Sequence, residues 1–419
     1  MLRRLLPGGR FKYVVIAVFL FLCLVFQMTP SLKASLGVNP QTPVQGRPHY
    51  LYRSRFRFDP DLEYERHIST ALDQLAQNAT SEGPGDPLNT IWQIYLAREL
   101  SAAERPDDSV QLQQKNPEWK YQVSDSLRNS SQSDPRLSRL SQLVSSHWAE
   151  DFVTNTLSSI PDLASLYHSY PRNVQRGDLL RYLILWYYGG YYADMDVFPA
   201  QPIKSCPSLQ NSIFTPDDPD VSLVVGIELD EPFASPETMR QWHWDRTYGF
   251  NQYTFFAPRR FSPILREVIV RVLAHTKRHI DESNFLLGVR YNEKTTREVT
   301  GPTVFTDSIL DVLTDSLPGT HRLITKSIKA DAGVGSLDHS ATNSHMQRVT
   351  WAPFHGIKAP LCTPGSEARL GKEFGGLCVL PIKAWGSGQR HSGSDAFGNP
   401  EACVNHRFSG TWKKGKEKE

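Results

Sequence analysis

Apolar residues recur at helical spacing from Leu62 to Ala76 (Leu62, Ile68, Leu72, Leu75), from Gly177 to Trp186 and from Ile264 to His275. Each stretch predicts a helix with one face toward a core, and Leu137 to His147 reads the same way. Between them lie short, dense apolar runs rich in β-branched and aromatic residues: Ile91 to Tyr95, Tyr191 to Ala193, Val221 to Ile227 and Tyr253 to Phe256. Such runs predict buried strands. Helices alternating with strands imply an α/β sheet covered on both faces, whose ligands bind beyond the carboxyl ends of the strands. No internal repeat is visible.

The two ends read differently. Arg3, Arg4, Arg10 and Lys12 precede an apolar run from Tyr13 to Met28, about 24 Å long as a helix. That length suits a thin, early-secretory membrane, and the charge in front keeps the N-terminus cytosolic. A cleaved signal peptide is the competing reading. Pro30, Leu32 and Lys33 interrupt any small-x-small cleavage site, which favours an uncleaved anchor. The expected organisation is a cytosolic tail (1–12), a transmembrane signal anchor (13–28), a stem (29–85) rich in Pro, Gln, Ser and Arg, a large globular domain (86–412) and a charged tail (413–419). Leu62 to Ala76 fits either a stem helix or the edge of the domain, before Ser81-Glu82-Gly83-Pro84-Gly85 breaks it.

At 419 residues with net charge +2, the chain has ample core but no basic stripe, so nucleic acid is not an expected partner. Asn78-Ala79-Thr80 and Asn129-Ser130-Ser131 are glycosylation acceptors. Cys23 lies in the apolar run, leaving Cys206, Cys362, Cys378 and Cys403. Four thiols allow three pairings, and the absence of Cys-x-x-Cys favours disulfides over zinc. Cys362 to Cys378 is the pairing suggested by closeness in sequence.

The chemistry concentrates at residues 176–196. Asp178 and Arg181 lie one helical turn apart, Gly189-Gly190 breaks the helix, and a short aromatic strand delivers Asp194 and Asp196. Carboxylates at i and i+2 on an extended segment share a face and can share one hard divalent cation. Bringing both to the edge of a core made of Leu183, Ile184, Leu185, Trp186, Tyr191 and Tyr192 is costly unless a cation compensates. Asp194-x-Asp196 also fits the two acids of the nucleophile motif of haloacid-dehalogenase phosphatases. Gly189-Gly190 leaves too short a strand for that class, and Asp217-Asp218 follows too soon. His275 and His279 stand at i and i+4, but the basic residues between them favour a helix-terminus role over a metal clasp.

Arg-x-Asp-Leu-x-Arg-Tyr followed by Gly-Gly-x-Tyr-Ala-Asp-x-Asp resembles the DXD sugar-binding region of glycosyltransferase family 32, with greatest similarity to fungal Golgi α-1,6-mannosyltransferases that initiate outer N-glycan chains. The same four offsets resemble those of large clostridial glucosylating toxins. Further matches follow in the family's order: Thr90-Ile91-Trp92-Gln93-Ile94-Tyr95, Asn116-Pro117-Glu118-Trp119-Lys120-Tyr121, Val225-Gly226-Ile227-Glu228, Thr300-Gly301-Pro302, Val379-Leu380-Pro381-Ile382 and Asn405 through Trp412. Thr411 departs from the usual Ser, and Trp242-His243-Trp244 stands in a variable stretch.

The resemblance implies a GT-A-like nucleotide-sugar-binding sheet in a catalytic domain behind a single-pass type II anchor in the Golgi membrane. It implies transfer of mannose from a GDP-mannose donor, with Mn²⁺ or another divalent cation, to a mannose-containing N-glycan acceptor in α-1,6 linkage and with retention. Asp194 and Asp196 are the expected catalytic and metal residues, with His406 as third ligand. Asp178, Arg181, Tyr182, Trp92 and Trp412 are expected to bind substrate, Asp178 and Arg181 at the donor sugar. Glu228 and Asp230 follow an apolar strand and are candidates for acceptor contact. Another nucleotide sugar, or a non-catalytic subunit of a mannan-polymerising Golgi complex, are the alternatives. Intact Asp178, Arg181, Asp194 and Asp196 argue against the latter. Asp196→Asn is expected to leave stability nearly unchanged, because it relieves repulsion between two acids.

Overall fold

A computed structural model of the chain describes residues 54–79, 86–96, 106–121, 145–216, 219–283, 288–331 and 348–409. The anchor, most of the stem, Trp412 and the charged tail lie outside the described residues. Among the described residues no helix is long and apolar enough to cross a membrane. The principal elements in chain order are α1 (Leu62–Asn78), β1 (Thr90–Trp92), α2 (Asp107–Lys115), β2 (Lys120–Tyr121), α3 (Asn173–Tyr188), β3 (Gly190–Ala193), β4 (Val197–Pro199) and β5 (Leu223–Asp230). Then come α4 (Pro236–Trp242), β6 (Tyr248–Phe250), β7 (Thr254–Ala257), α5 (Pro263–Asp281), α6 (Glu293–Val299), α7 (Pro302–Ser316), β8 (Leu361–Thr363), β9 (Leu377–Leu380) and β10 (Val404–His406).

The strands form a mixed sheet in the order β2-β1-β3-β7-β5-β9-β8, with β6 paired to β5. β2, β1 and β3 run parallel, β7 is antiparallel to β3 and β5, and β9 is parallel to β5. Alternate residues feed two cores. Trp92, Tyr192, Val225 and Phe255 join the larger core with α1, α3, α5 and α7, whereas Ile91, Tyr191, Val224 and Phe256 join the smaller one with Leu112 of α2 and Trp385. A sheet covered on both faces needs continuous apolar strands, which explains the dense runs in the sequence.

The strands are shorter or shifted by a residue or two from the apolar runs, because hydrogen-bond pairing sets their ends. Ile91 to Tyr95 pairs only as Thr90–Trp92, and Val221 to Ile227 becomes Leu223–Asp230. The helix expected at Gly177 begins earlier, at Asn173, where the Arg172 amide donates to the Gln175 side-chain oxygen at 3.1 Å. Of Leu137 to His147 only the end is described, entering a helix at Ser146–Asp151. α1 lays Ile68 and Leu72, both fully buried, into the larger core.

Two glycines make the turn from α3 into β3. Gly189 and Gly190 have φ of 70° and 107°, in the region that favours glycine. A Cβ on Gly190 would stand 2.9 Å from the Thr90 carbonyl oxygen and from Trp92 Nε1. This tight turn holds the end of α3 against β1 and aims β3 toward Asp194. Both disulfides form: Cys362–Cys378 joins directly paired residues of β8 and β9, and Cys206–Cys403 ties the segment after β4 to the residue preceding β10.

Candidate active site

The pleat of β3 sends Tyr191 to one core and Tyr192 to the other, so the chain leaves the sheet at Asp194. The Asp194 amide donates to the Tyr253 carbonyl at 2.8 Å, and the Val197 amide donates back to the Asp194 carbonyl at 3.1 Å. This turn brings Asp194 to the cleft and sets Asp196 close behind it. β4 then pairs with β10 far along the chain, setting His406 opposite Val197. His406 Nε2 lies 2.9 Å from Asp196 Oδ1, and the Ser409 amide donates to Oδ2 at 3.1 Å. Burial opposes ionisation of Asp196, but the His406 and Ser409 contacts outweigh it and hold the carboxyl down to about 2.

Arg181 links the two halves of the site. Its guanidinium sits 3.0 Å from Asp194 Oδ1 and 3.2 Å from Asp178 Oδ1, lies over the Tyr192 ring at 4.8 Å and donates to the Gln252 carbonyl at 3.1 Å. Burial works against its charge, while Asp194, Tyr192 and Asp178 more than offset that. Tyr192 hydroxyl donates to Asp194 Oδ1 at 2.5 Å. Asp178 accepts from Thr300 hydroxyl at 2.8 Å and from the Gln252 side-chain amide at 3.1 Å. It is 4% exposed, and burial pushes its carboxyl up to about 6 despite Arg181.

Asp178, Arg181, Asp194, Glu228 and His406 all line one cleft of about 980 Å³. Glu228 enters it from β5. Burial raises its carboxyl to about 7, with His406 opposing and Asp194 adding to the rise. Asp194, Asp196 and His406 each offer a ligand atom, and these atoms lie within 4.8 Å of one another. Two carboxylate oxygens and an imidazole nitrogen suit a divalent cation such as Mn²⁺. His406 adds a buried Nδ1 without a partner among the described residues, and its ring is stacked on Tyr253 at 4.2 Å.

Other candidates sit elsewhere. Trp92 is 3% exposed and its indole N–H donates to the Gly189 carbonyl at 2.8 Å, so it braces the glycine turn and does not line the cleft. Tyr182 is fully buried and donates to the Thr300 carbonyl at 3.0 Å, behind Asp178. Asp230 faces away from the cleft, toward His355 Nδ1 (2.7 Å) and the Gly356 amide (2.8 Å). His275 is not a cationic helix-end partner: burial pushes it down to about 3, and its Nδ1 sits 3.0 Å from the Glu298 carbonyl. Gln252 and Thr300, which hold Asp178, escaped the sequence reading. Thr300 carried a signal in Thr-Gly-Pro, whereas Gln252 carried none.

Known proteins match the chain across the segment that carries these acids. Residues 109–214 match the family described as the glycosyltransferase sugar-binding region containing the DXD motif. The initiation-specific alpha-1,6-mannosyltransferase of Candida albicans is 25% identical over 363 residues, 85% of this chain and 80% of that protein. Its namesake from Schizosaccharomyces pombe is 27% identical over 261 residues, 61% of this chain and 51% of that protein. Inositol phosphoceramide mannosyltransferase 1 of the same yeast is 43% identical over 49 residues, 12% of this chain and 15% of that protein. The matched region holds Asp178, Arg181 and Asp194, which line the cleft, and Asp196 beside it, so the chain carries the DXD sugar-binding region and is a glycosyltransferase.

Proposed function

We propose that the chain transfers mannose from GDP-mannose to a mannose-containing N-glycan in α-1,6 linkage, with retention and with a divalent cation. The observation that carries this is the convergence of Asp178, Arg181, Asp194 and His406 on one cleft, with Asp196 bonded to His406. Three relatives named as mannosyltransferases support the sugar. On a GT-A-like reading of the sheet, the nucleoside lies toward the carboxyl ends of the parallel strands β1 and β2, the diphosphate lies at Asp194, Asp196 and His406, and the sugar lies toward Asp178.

A cation held by Asp194, Asp196 and His406 would neutralise the diphosphate as it departs. Arg181 and the Tyr192 hydroxyl hold Asp194 in its orientation. Asp178, fixed by Thr300 and Gln252, directs its remaining lone pairs at sugar hydroxyls, and Glu228 orients the acceptor hydroxyl. Because no carboxylate stands assigned as a nucleophile, attack on the face the diphosphate leaves fits retention better than double displacement. The proposed setting is a single-pass type II Golgi protein with its catalytic domain, whose core takes in α1 ahead of residue 86, in the lumen, consistent with the basic-then-apolar N-terminus and with two disulfides.

The test is transfer by the full-length chain from a panel of nucleotide sugars to α-mannose oligosaccharides, with and without Mn²⁺, with linkage analysis of the product. Transfer of mannose only from GDP-mannose and only with cation is expected. Turnover restricted to another nucleotide sugar would overturn the donor assignment, and full activity in chelator would overturn the cation.

A further inference from the structure

Trp242, His243 and Trp244 take no part in the site described so far, yet they line the same cleft. α4 ends at Trp242, and His243 adopts a left-handed conformation (φ 55°) with its amide 3.3 Å from the Arg240 carbonyl. The Trp244 amide reaches the Met239 carbonyl at 2.9 Å. These two bonds form a Schellman ending in which histidine stands where glycine is usual. The chain thus doubles back and stacks the indoles, 5.5 Å apart with an interplanar angle of 15°. His391 closes the group edge-on, 5.3 Å from Trp242 and 5.0 Å from Trp244.

The loop carrying His391 is fixed from below. The Gln389 side-chain amide donates to the Glu228 carbonyl at 2.6 Å, the Ser392 amide donates to Glu231 at 2.5 Å, and the Asp230 amide donates to the Ser392 hydroxyl at 2.9 Å. Trp242 nevertheless leaves 40% of its surface to solvent. A rigid aromatic surface kept open beside a carboxylate-lined cleft has the form of a ligand subsite.

We propose that the Trp242–Trp244–His391 shelf binds a hexopyranose ring of the acceptor glycan, stacking its apolar C–H face on the indoles. The proposal rests on the transfer reading above and adds to it where the acceptor lies. Three observations favour an acceptor sugar over the donor's nucleobase or phosphates. The shelf adjoins β6 and β5, with β7 and β3 between it and the parallel strands β1 and β2 assigned to the nucleoside. Two guanidiniums lining the cleft are balanced by carboxylates, Arg246 with Asp307 at 2.9 Å and Arg297 with Asp245 at 2.5 Å, and so are not free to hold the donor's phosphates. Glu228, facing the reacting end of the cleft, lies on β5, the strand that β6 pairs with.

The experiment compares the full-length wild type with Trp242→Ala and Trp242→Phe. It reads KM for an α-mannose oligosaccharide, KM for the donor, donor hydrolysis without acceptor, and quenching of tryptophan fluorescence by the oligosaccharide alone. Trp242→Ala is expected to raise the acceptor KM at least tenfold, about 1.4 kcal/mol, and to weaken the quenching. Donor KM and hydrolysis should stay within twofold, and Trp242→Phe should recover most of the loss. An acceptor KM within twofold of wild type in a Trp242→Ala protein that melts normally overturns the shelf, as does a parallel rise in donor KM, which would mark a nucleobase platform. If the wild type proves to use a different nucleotide sugar, the donor assignment falls alone, because the acceptor KM is then read with that donor.

Discussion

Glu228→Gln should make the protein more stable and less active. The carboxyl of Glu228 rises from the ordinary 4.5 to about 7 because folding buries it in the cleft. With a folded value above the unfolded one, the folded state holds the proton more tightly. The ionisation penalty is therefore absent below about pH 4.5, grows between about 4.5 and 7, and is complete above 7. At about 1.36 kcal/mol for each pH unit the full penalty approaches about 3 kcal/mol, and screening by cleft water reduces it to about 2. Glutamine keeps the shape without the charge. With an unfolding entropy of about 2.1 cal/mol/K per residue over roughly 370 residues, 2 kcal/mol raises the melting temperature by about 2–3 °C. The assay is thermal melting of both proteins in chelator at pH 4.5 and pH 8, beside transfer activity. The two should melt together at the lower pH and separate at the higher, and transfer should fall at least tenfold if Glu228 orients the acceptor. A gap of equal size at both pH values, or a variant that melts lower at pH 8, would refute the electrostatic account.

Asp196→Asn should lower transfer at least a hundredfold and abolish any rise in melting temperature on adding Mn²⁺. The expectation that its stability is unchanged does not survive the structure: a carboxyl held at about 2 against an ordinary 3.8 contributes about 2 kcal/mol above pH 4. That stability is lost as pH falls from about 4 to 2, and acid melts of variant and wild type should converge there. Arg181→Met removes the cation between Asp178 and Asp194 and should cost about 3–5 kcal/mol; adding Asp178→Asn should restore part of that stability without restoring transfer. Replacing Cys206 and Cys403 together by Ser opens a cross-link between residues 197 apart, worth about 5 kcal/mol in the chain-entropy model. It should lower the melting temperature and weaken Mn²⁺ binding through β10, and a protein that melts as wild type would contradict that link.

What the sequence made legible was local in origin. Asp178 with Arg181, and Asp194 with Asp196, are fixed by the helical and extended repeats themselves, so their offsets sufficed to place each pair on one face. The Gly189-Gly190 turn was legible for the same reason. Residues chosen by tertiary packing were not. Tyr182 lies one position from Arg181 yet points into the core, because a helix buried on most of its surface offers no polar face to separate cleft from interior. Trp92 reads as a binding aromatic until its N–H is seen to hold Gly189. Gln252 and Tyr253 precede a short strand and carry no motif, although one fixes Asp178 and the other stacks on His406. His406 was found through resemblance alone; no periodicity links it to Asp196, and only the antiparallel pairing of β10 with β4 brings them together across 210 residues. The site is thus built from two locally encoded acid pairs and a set of partners that only the folded sheet can select. That is why substitutions at Arg181 or Cys403, which tie distant segments together, should cost more in folding than a substitution at Asp196.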